Sequence, residues 1–164
     1  MLPIMVRPLA CALLLVLVFP STAAADLTAF VGVNATPANR PVRGIAAGIG
    51  LIIVAFEFEY ADTSEDLDEA AAGLRTFMVN GLLQTPFPIA GMQFYATAGG
   101  GVFRETLAED AFRETNVGIN VGGGVKLSLL GPLRLRLDYR VFTLRGDALH
   151  PRPQRFYAGL NLKF

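Results

Sequence analysis

A chain of 164 residues, with 14 Lys and Arg against 14 Asp and Glu, suits a single domain and has no charge excess to hold it on a nucleic acid. It is 52% hydrophobic, with 17 glycines, 12 phenylalanines and no tryptophan. Its single cysteine, Cys11, excludes an intrachain disulfide framework.

Residues 1–25 read as a secretory signal peptide. Arg7 supplies the positive n-region, residues 9–19 form the apolar core, and Pro20 ends it. Ala23 and Ala25 make an A-x-A site, so cleavage is expected after Ala25. The apolar run is too short to cross about 30 Å of hydrocarbon as a helix, which takes about 20 residues. Cys11 lies ahead of most of the apolar core and is therefore not a lipoprotein anchor. The expected mature domain spans residues 26–164 and has no cysteine.

After the leader, apolar and polar residues interleave with the period of a strand. Leu27, Ala29, Val31 and Val33 alternate with Thr28, Phe30, Gly32 and Asn34. Ile45, Ala47, Ile49 and Leu51 alternate with small residues. Val54, Phe56, Phe58 and Tyr60 share one face, and Glu57 and Glu59 the other. Phe77 and Val79 oppose Thr76, Met78 and Asn80; Phe94, Ala96 and Ala98 oppose Gln93, Tyr95 and Thr97. Further on, Val117, Ile119, Val121, Val125 and Leu127 oppose Asn116, Asn120 and Lys126, around the run Gly122-Gly123-Gly124. Leu133, Leu135, Leu137, Tyr139 and Val141 oppose Arg134, Arg136, Asp138 and Arg140. The last segment sets Phe156, Ala158, Leu160, Leu162 and Phe164 against Tyr157, Gly159, Asn161 and Lys163.

No segment after the leader is apolar for long enough to form a membrane helix. The longest candidate, residues 44–56, is short, Gly-rich and β-branched. High hydrophobicity with interleaved polar residues fits strands with lipid on one side and a polar interior on the other. The pattern gives about eight strands of about 9–11 residues, the length a tilted membrane strand needs. Long polar connections fall at 35–43, 62–72, 104–115 and 145–155, and short ones near 51–53, 85–88 and 130–132. That rhythm predicts an all-β fold: an eight-stranded antiparallel up-and-down transmembrane β-barrel, with both ends at the short-turn rim.

The leader, the strand Phe56-Glu57-Phe58-Glu59-Tyr60, the strand over residues 133–141 and the final Phe164 together resemble the small eight-stranded outer-membrane barrels of the OmpA/OmpX type. The resemblance covers residues 26–164 and is architectural. It implies residence in the outer membrane of a Gram-negative envelope, among outer-membrane lipids and lipopolysaccharide. It also implies that Leu160, Leu162 and Phe164 are read by the barrel-assembly machinery during insertion.

The candidate site is the lumen. Glu57 and Glu59 come from the third strand, Lys126 from the sixth, Arg134, Arg136, Asp138 and Arg140 from the seventh, and Lys163 from the eighth. Strands three and seven face each other across a barrel whose interior is just wide enough to be filled by side chains. Acid and base should therefore pair there, because unpaired buried charge is costly. Proteins of the resembled type have such an interior network, sometimes discussed as a gate.

Catalysis is not expected. His150 is the only histidine and sits in the Pro-rich segment 148–153, with no serine beside it in sequence. No cofactor or metal site is expected, since zinc needs three or four ligands. The acidic loop with Glu65, Asp66, Asp68 and Glu69, near Glu105, Glu109 and Asp110, reads as solvated rather than as a cation site. Arg40, Arg43, Arg152 and Arg155 flank loops and are placed to meet lipopolysaccharide phosphates. The expected role is structural or surface-interacting, with a plugged lumen and an unknown loop ligand. Two alternatives stay open: a small porin-like pore, and a soluble periplasmic lipid-binding barrel.

Overall fold

The computed structural model describes residues 23–108 and 111–164. Of the expected leader only residues 23–25 fall within them, where they open the first strand. The strands are β1 (Ala23–Asn34), β2 (Arg40–Leu51), β3 (Val54–Thr63), β4 (Gly73–Gln84), β5 (Met92–Leu107), β6 (Phe112–Leu130), β7 (Leu133–Leu144) and β8 (Gln154–Lys163). Each pairs antiparallel with its sequence neighbour, and β8 returns to β1 to close the barrel. Closure pairs both edges of every strand through the barrel wall; the β6–β7 pairing begins at Gly118, beyond the start of β6 at Phe112.

Four connections lie at one rim, at residues 35–39, 64–72, 108–111 and 145–153. Three lie at the other, at 52–53, 85–91 and 131–132. The expected loop over 104–115 is mostly strand: β5 runs 16 residues and stays paired with β4 as far as Thr106, and β6 runs 19, extending past the end of β7 at Leu144. Polar residues on both faces hid it, because outside a belt of lipid or core a strand needs no apolar face. The turn at 52–53 carries no glycine, and Ile52 takes φ 41°. A β-branched residue resists that conformation. It is held by the Leu51–Val54 pairing below it and by Gln84, whose Nε2 donates to the Ile52 carbonyl at 3.3 Å.

The outer wall is organised in rows across the strands. Ile45, Tyr60, Phe77, Val102 and Val117 are register partners from β2 to β6, and all point outward. One step toward the long-loop rim, Arg43, Asp62, Arg75, Arg104 and Thr115 form the next outward row on the same strands. The wall thus changes from apolar to charged within a single row. Followed from Arg43 through β3 and β4, that charged row reaches Arg104 on β5. Followed the other way, through Val31, Ala158, Leu137 and Val125, it reaches Phe94 lower on the same strand. This offset is the stagger that tilted barrel strands require.

Inside, the lumen is layered rather than uniformly polar. Leu74, Met78, Phe103, Phe142 and Leu144 form an apolar cluster toward the long-loop rim. Phe30 stacks on Tyr157 with ring centroids 4.0 Å apart, beside Val42 and Ala61. Gly44 makes room for this stack, since a Cβ there would overlap the Phe30 ring. Charged side chains fill the middle.

Candidate functional site: the charged lumen and the outer wall

Alternation along β7 turns Leu133, Leu135, Leu137 and Tyr139 away from the lumen and Arg134, Arg136, Asp138 and Arg140 into it. Across the barrel, β3 offers Glu57 and Glu59 by the same logic. The Arg136 guanidinium pairs with Glu57 through Nη1 and donates from Nη2 to Asp138 at 3.1 Å. Arg140 donates to Glu57 from Nη2 at 2.9 Å and to Asp138 from Nε at 2.9 Å. Its Nη1 lies 3.0 Å from Glu59 Oε2, an ion-pair contact without hydrogen-bond alignment. Both oxygens of Glu57 and both of Asp138 thus accept from the forked donors for which arginine geometry is suited.

Neutral groups complete the middle layer. Arg136 Nε donates to the Tyr95 hydroxyl at 2.8 Å, and that hydroxyl donates to Asp138. Tyr95 also lies under the Arg136 guanidinium, 4.9 Å from its centre. Asn80 donates to Glu57 at 3.3 Å and accepts from Asn120 at 2.8 Å. Gly124 admits the Tyr95 hydroxyl: a Cβ there would overlap both that oxygen and the Leu137 carbonyl.

A second group lies nearer the short-turn rim. Lys126 Nζ donates to Asp26 Oδ2 at 2.6 Å, and Arg134 Nη2 reaches the same oxygen at 3.3 Å. Arg134 also donates to Gln93 at 3.0 Å and to Asn161 at 2.8 Å, and Asn161 donates to Thr28 at 2.8 Å. Lys163 is a correction to the expected network. It stands exposed at the lower mouth, lining a cavity of about 170 Å³ with Lys126 and Arg134. As the last residue of β8 it can extend to solvent.

The structure draws in residues that the sequence reading placed elsewhere. Arg155 belongs to the lumen, not to a lipid-facing loop: it is fully buried, and its Nη1 donates to Glu59 at 3.0 Å and its Nη2 to Thr76 at 3.2 Å. Extending the β8 alternation back from Asn161, Gly159 and Tyr157 would have found it. Asp26 follows in the same way from Thr28 and Phe30. Arg40 is also turned inward, donating to the Ala72 carbonyl and, at 2.9 Å, to that of Thr36. Only Arg43, of the named arginines flanking the first long connection, stands on the outer wall. Arg152 is exposed in the connection 145–153.

Glu105 is likewise buried rather than part of an acidic surface cluster, and its Oε2 accepts the Leu149 N–H at 2.9 Å. Glu109 and Asp110 lie outside the described residues. Asp66 caps its own turn, accepting the N–H groups of Asp68 at 3.1 Å and Glu69 at 3.3 Å. Burial and the positive charge of Arg40 hold the His150 imidazole below its ordinary range. Ser128 sits at the opposite end of the barrel from His150, beside Arg134. Among the described residues, no group of three His, Cys, Asp or Glu is placed to hold a metal ion.

No family model and no curated protein matches the chain. Solved structures do. The N-terminal β-barrel domain of Pseudomonas aeruginosa OprF superposes with a TM-score of 0.66 at 15% identity, covering 86% of this chain and 97% of that one. Neisserial surface protein A gives 0.65 at 18% identity, covering 87% and 96%. The attachment invasion locus protein Ail of Yersinia pestis gives 0.54 at 11% identity, covering 87% and 98%. At these identities the likeness is one of fold. The chain has the fold of the small eight-stranded outer-membrane β-barrels.

Proposed function

We propose that this is an integral outer-membrane protein, non-enzymatic, with a lumen plugged by its ion network and a structural or surface-interacting role. The observation that carries the reading is the inversion of the wall. Phe56, Ile49, Ile45 and Val31 face outward at 58–67% exposure, while Arg136, Arg140 and Arg155 are fully buried. Water would favour the opposite arrangement; a hydrocarbon surround favours this one. The long connections then face the exterior and the short turns the periplasm. Leu160, Leu162 and Phe164, which present the outward face at the end of β8, serve as the assembly signal.

Cell fractionation with heat-modifiable gel migration tests this reading. The expected result is protein in the outer-membrane fraction, with folded and boiled forms migrating differently. Mature protein in the soluble periplasm would overturn the assignment. For the assembly signal, Phe164→Ala should slow insertion in cells while leaving refolding into vesicles unchanged; equal slowing in both would reduce Phe164 to a lipid contact.

A further inference from the structure

We propose that Arg43, Arg75 and Arg104, with the grooves beneath them, form a binding site for phosphorylated lipid A, the membrane anchor of lipopolysaccharide. The proposal rests on the outer-membrane reading above and names the partner of its outer wall.

The first observation is a charge conflict that the fold itself sets up. Arg75 and Arg104 are direct register partners on β4 and β5, both outward. Like charges directly opposite each other destabilise a sheet pair. Asp62 is the one carboxylate in the row; it accepts from Arg75 at 2.9 Å and lies 3.8 Å from Arg43. Arg104 turns to the neutral Thr115 hydroxyl at 3.3 Å. The row therefore holds three guanidiniums against one carboxylate. Their side chains reach solvent freely, Arg43 at 83% and Arg75 at 62% exposure. An anion bridging Arg75 and Arg104 relieves the conflict, and guanidinium forks match phosphate oxygens.

The second observation is where the row sits. It lies one register step above Ile45, Tyr60, Phe77 and Val102, at the end of the apolar wall nearest the long connections. Because the strands tilt, the row climbs from Arg43 on β2 at the top of the apolar wall to Arg104 on β5, entering the headgroup layer of the outer leaflet. With strands about 4.8 Å apart, Arg43 and Arg104 stand roughly 14 Å apart, so one phosphate fits at Arg43 and another at the Arg75–Arg104 pair.

The third is that grooves lead down from both positions. One of about 650 Å³ begins between Arg43 and Asp62 and runs past Ile45 to a floor made by the small residues Ala29 and Ala158. A smaller one of about 220 Å³ lies below Arg75 and Arg104, against Phe77 and Val102. A free phosphate has no use for an apolar groove; a phosphorylated acylated sugar fills both parts.

The test is a lipid titration of the folded, detergent-solubilised protein followed by native mass spectrometry, with three probes: bisphosphorylated lipid A, dephosphorylated lipid A and phosphatidylglycerol. Lipid A with its phosphates should bind at least tenfold more tightly than either other lipid. The double variant Arg75→Gln, Arg104→Gln should lose most of that preference. Ala158→Phe should weaken both forms of lipid A severalfold and keep the phosphate preference. Equal binding of all three lipids, phosphatidylglycerol matching lipid A, or an unaffected double variant would each overturn the site. Gel shift confirms that the variants fold, and all three positions face outward. Protein found in the outer membrane but indifferent to these lipids would sink the site alone, whereas protein found in the soluble periplasm would sink the reading beneath it.

Discussion

Glu57 touches two buried guanidiniums, those of Arg136 and Arg140, and also accepts from Asn80. Removing its charge leaves both buried cations short of an anion. Glu57→Gln is therefore expected to cost about 3–5 kcal/mol, the range for breaking one side of a buried ion pair. A urea titration in lipid vesicles, read by gel shift, measures it. Asp62 is a useful contrast: Asp62→Asn removes the partner of exposed arginines and should cost less than about 1 kcal/mol by the same measurement. A loss of equal size at both positions would mean that water reaches Glu57. Gly124→Ala probes the layer sterically, since its Cβ would displace the Tyr95 hydroxyl from Asp138 and Arg136; about 1–3 kcal/mol is expected. At this scale the sequence was legible wherever alternation was followed to the end of its strand. Arg136 and Glu57 announced themselves, whereas Arg155 and Asp26 were assigned to a loop and a chain start because the pattern was cut short by one or two residues. Arg40 was missed for the same reason: the alternation of β2 runs back from Ala46 through Gly44 and Val42 to it, and the Ala72 carbonyl then receives its guanidinium.

Strands and connections differ in how they are held. The eight strands share a continuous ladder, so their register and outward rows follow from alternation plus closure. The turn at 52–53 was hard to read because it uses Ile52 at a positive φ where glycine or asparagine is usual. The long connection 145–153 is pinned by contacts along its length: the Leu149 N–H on Glu105, the Asp147 N–H on Glu114, and the Leu144 and Phe142 N–H groups on the Pro151 and Pro153 carbonyls at 2.8 and 2.9 Å. His150 lies between them with its Nδ1 buried and without a hydrogen-bond partner. Burial, and then Arg40, lower its affinity for a proton in the packed loop. The open loop binds the proton more readily, so packing is strongest above the ordinary value of 6.5 and weakens as pH falls below it. The protection of amides in residues 145–153, taken relative to the intrinsic base-catalysed exchange rate at each pH, should therefore be lower at pH 5 than at pH 7.5, and His150→Gln should abolish the difference. Unchanged protection in the wild type would place the control of this loop elsewhere.

A whole barrel of eight strands has so little interior that its function turns on what occupies the lumen. Here Arg136, Arg140 and Arg155 span the middle layer against Glu57, Glu59 and Asp138, three cations against three anions. Leu74, Met78, Phe103 and Phe142 lie above them, and Lys126, Asp26 and Arg134 below. A permeating ion would have to part several ion pairs together and then cross an apolar layer, because freeing one arginine leaves its neighbours bound to the same carboxylates. That apolar layer was not legible as a barrier in one dimension, since Met78 and Leu74 look there like any residues on the inward face. Two obstacles in series favour a silent barrel over the porin-like alternative. Purified protein in a planar bilayer should show no steady ion-selective current at neutral pH. The variant Glu57→Ala, Arg136→Ala, Arg140→Ala removes the crossbars but leaves the apolar cluster, so it should pass only brief, infrequent openings. Adding Phe103→Ala and Phe142→Ala to it should lengthen those openings into resolved steps, provided gel shift shows the barrel still folded. Steady current through the unmodified protein would overturn the plugged lumen and restore the pore.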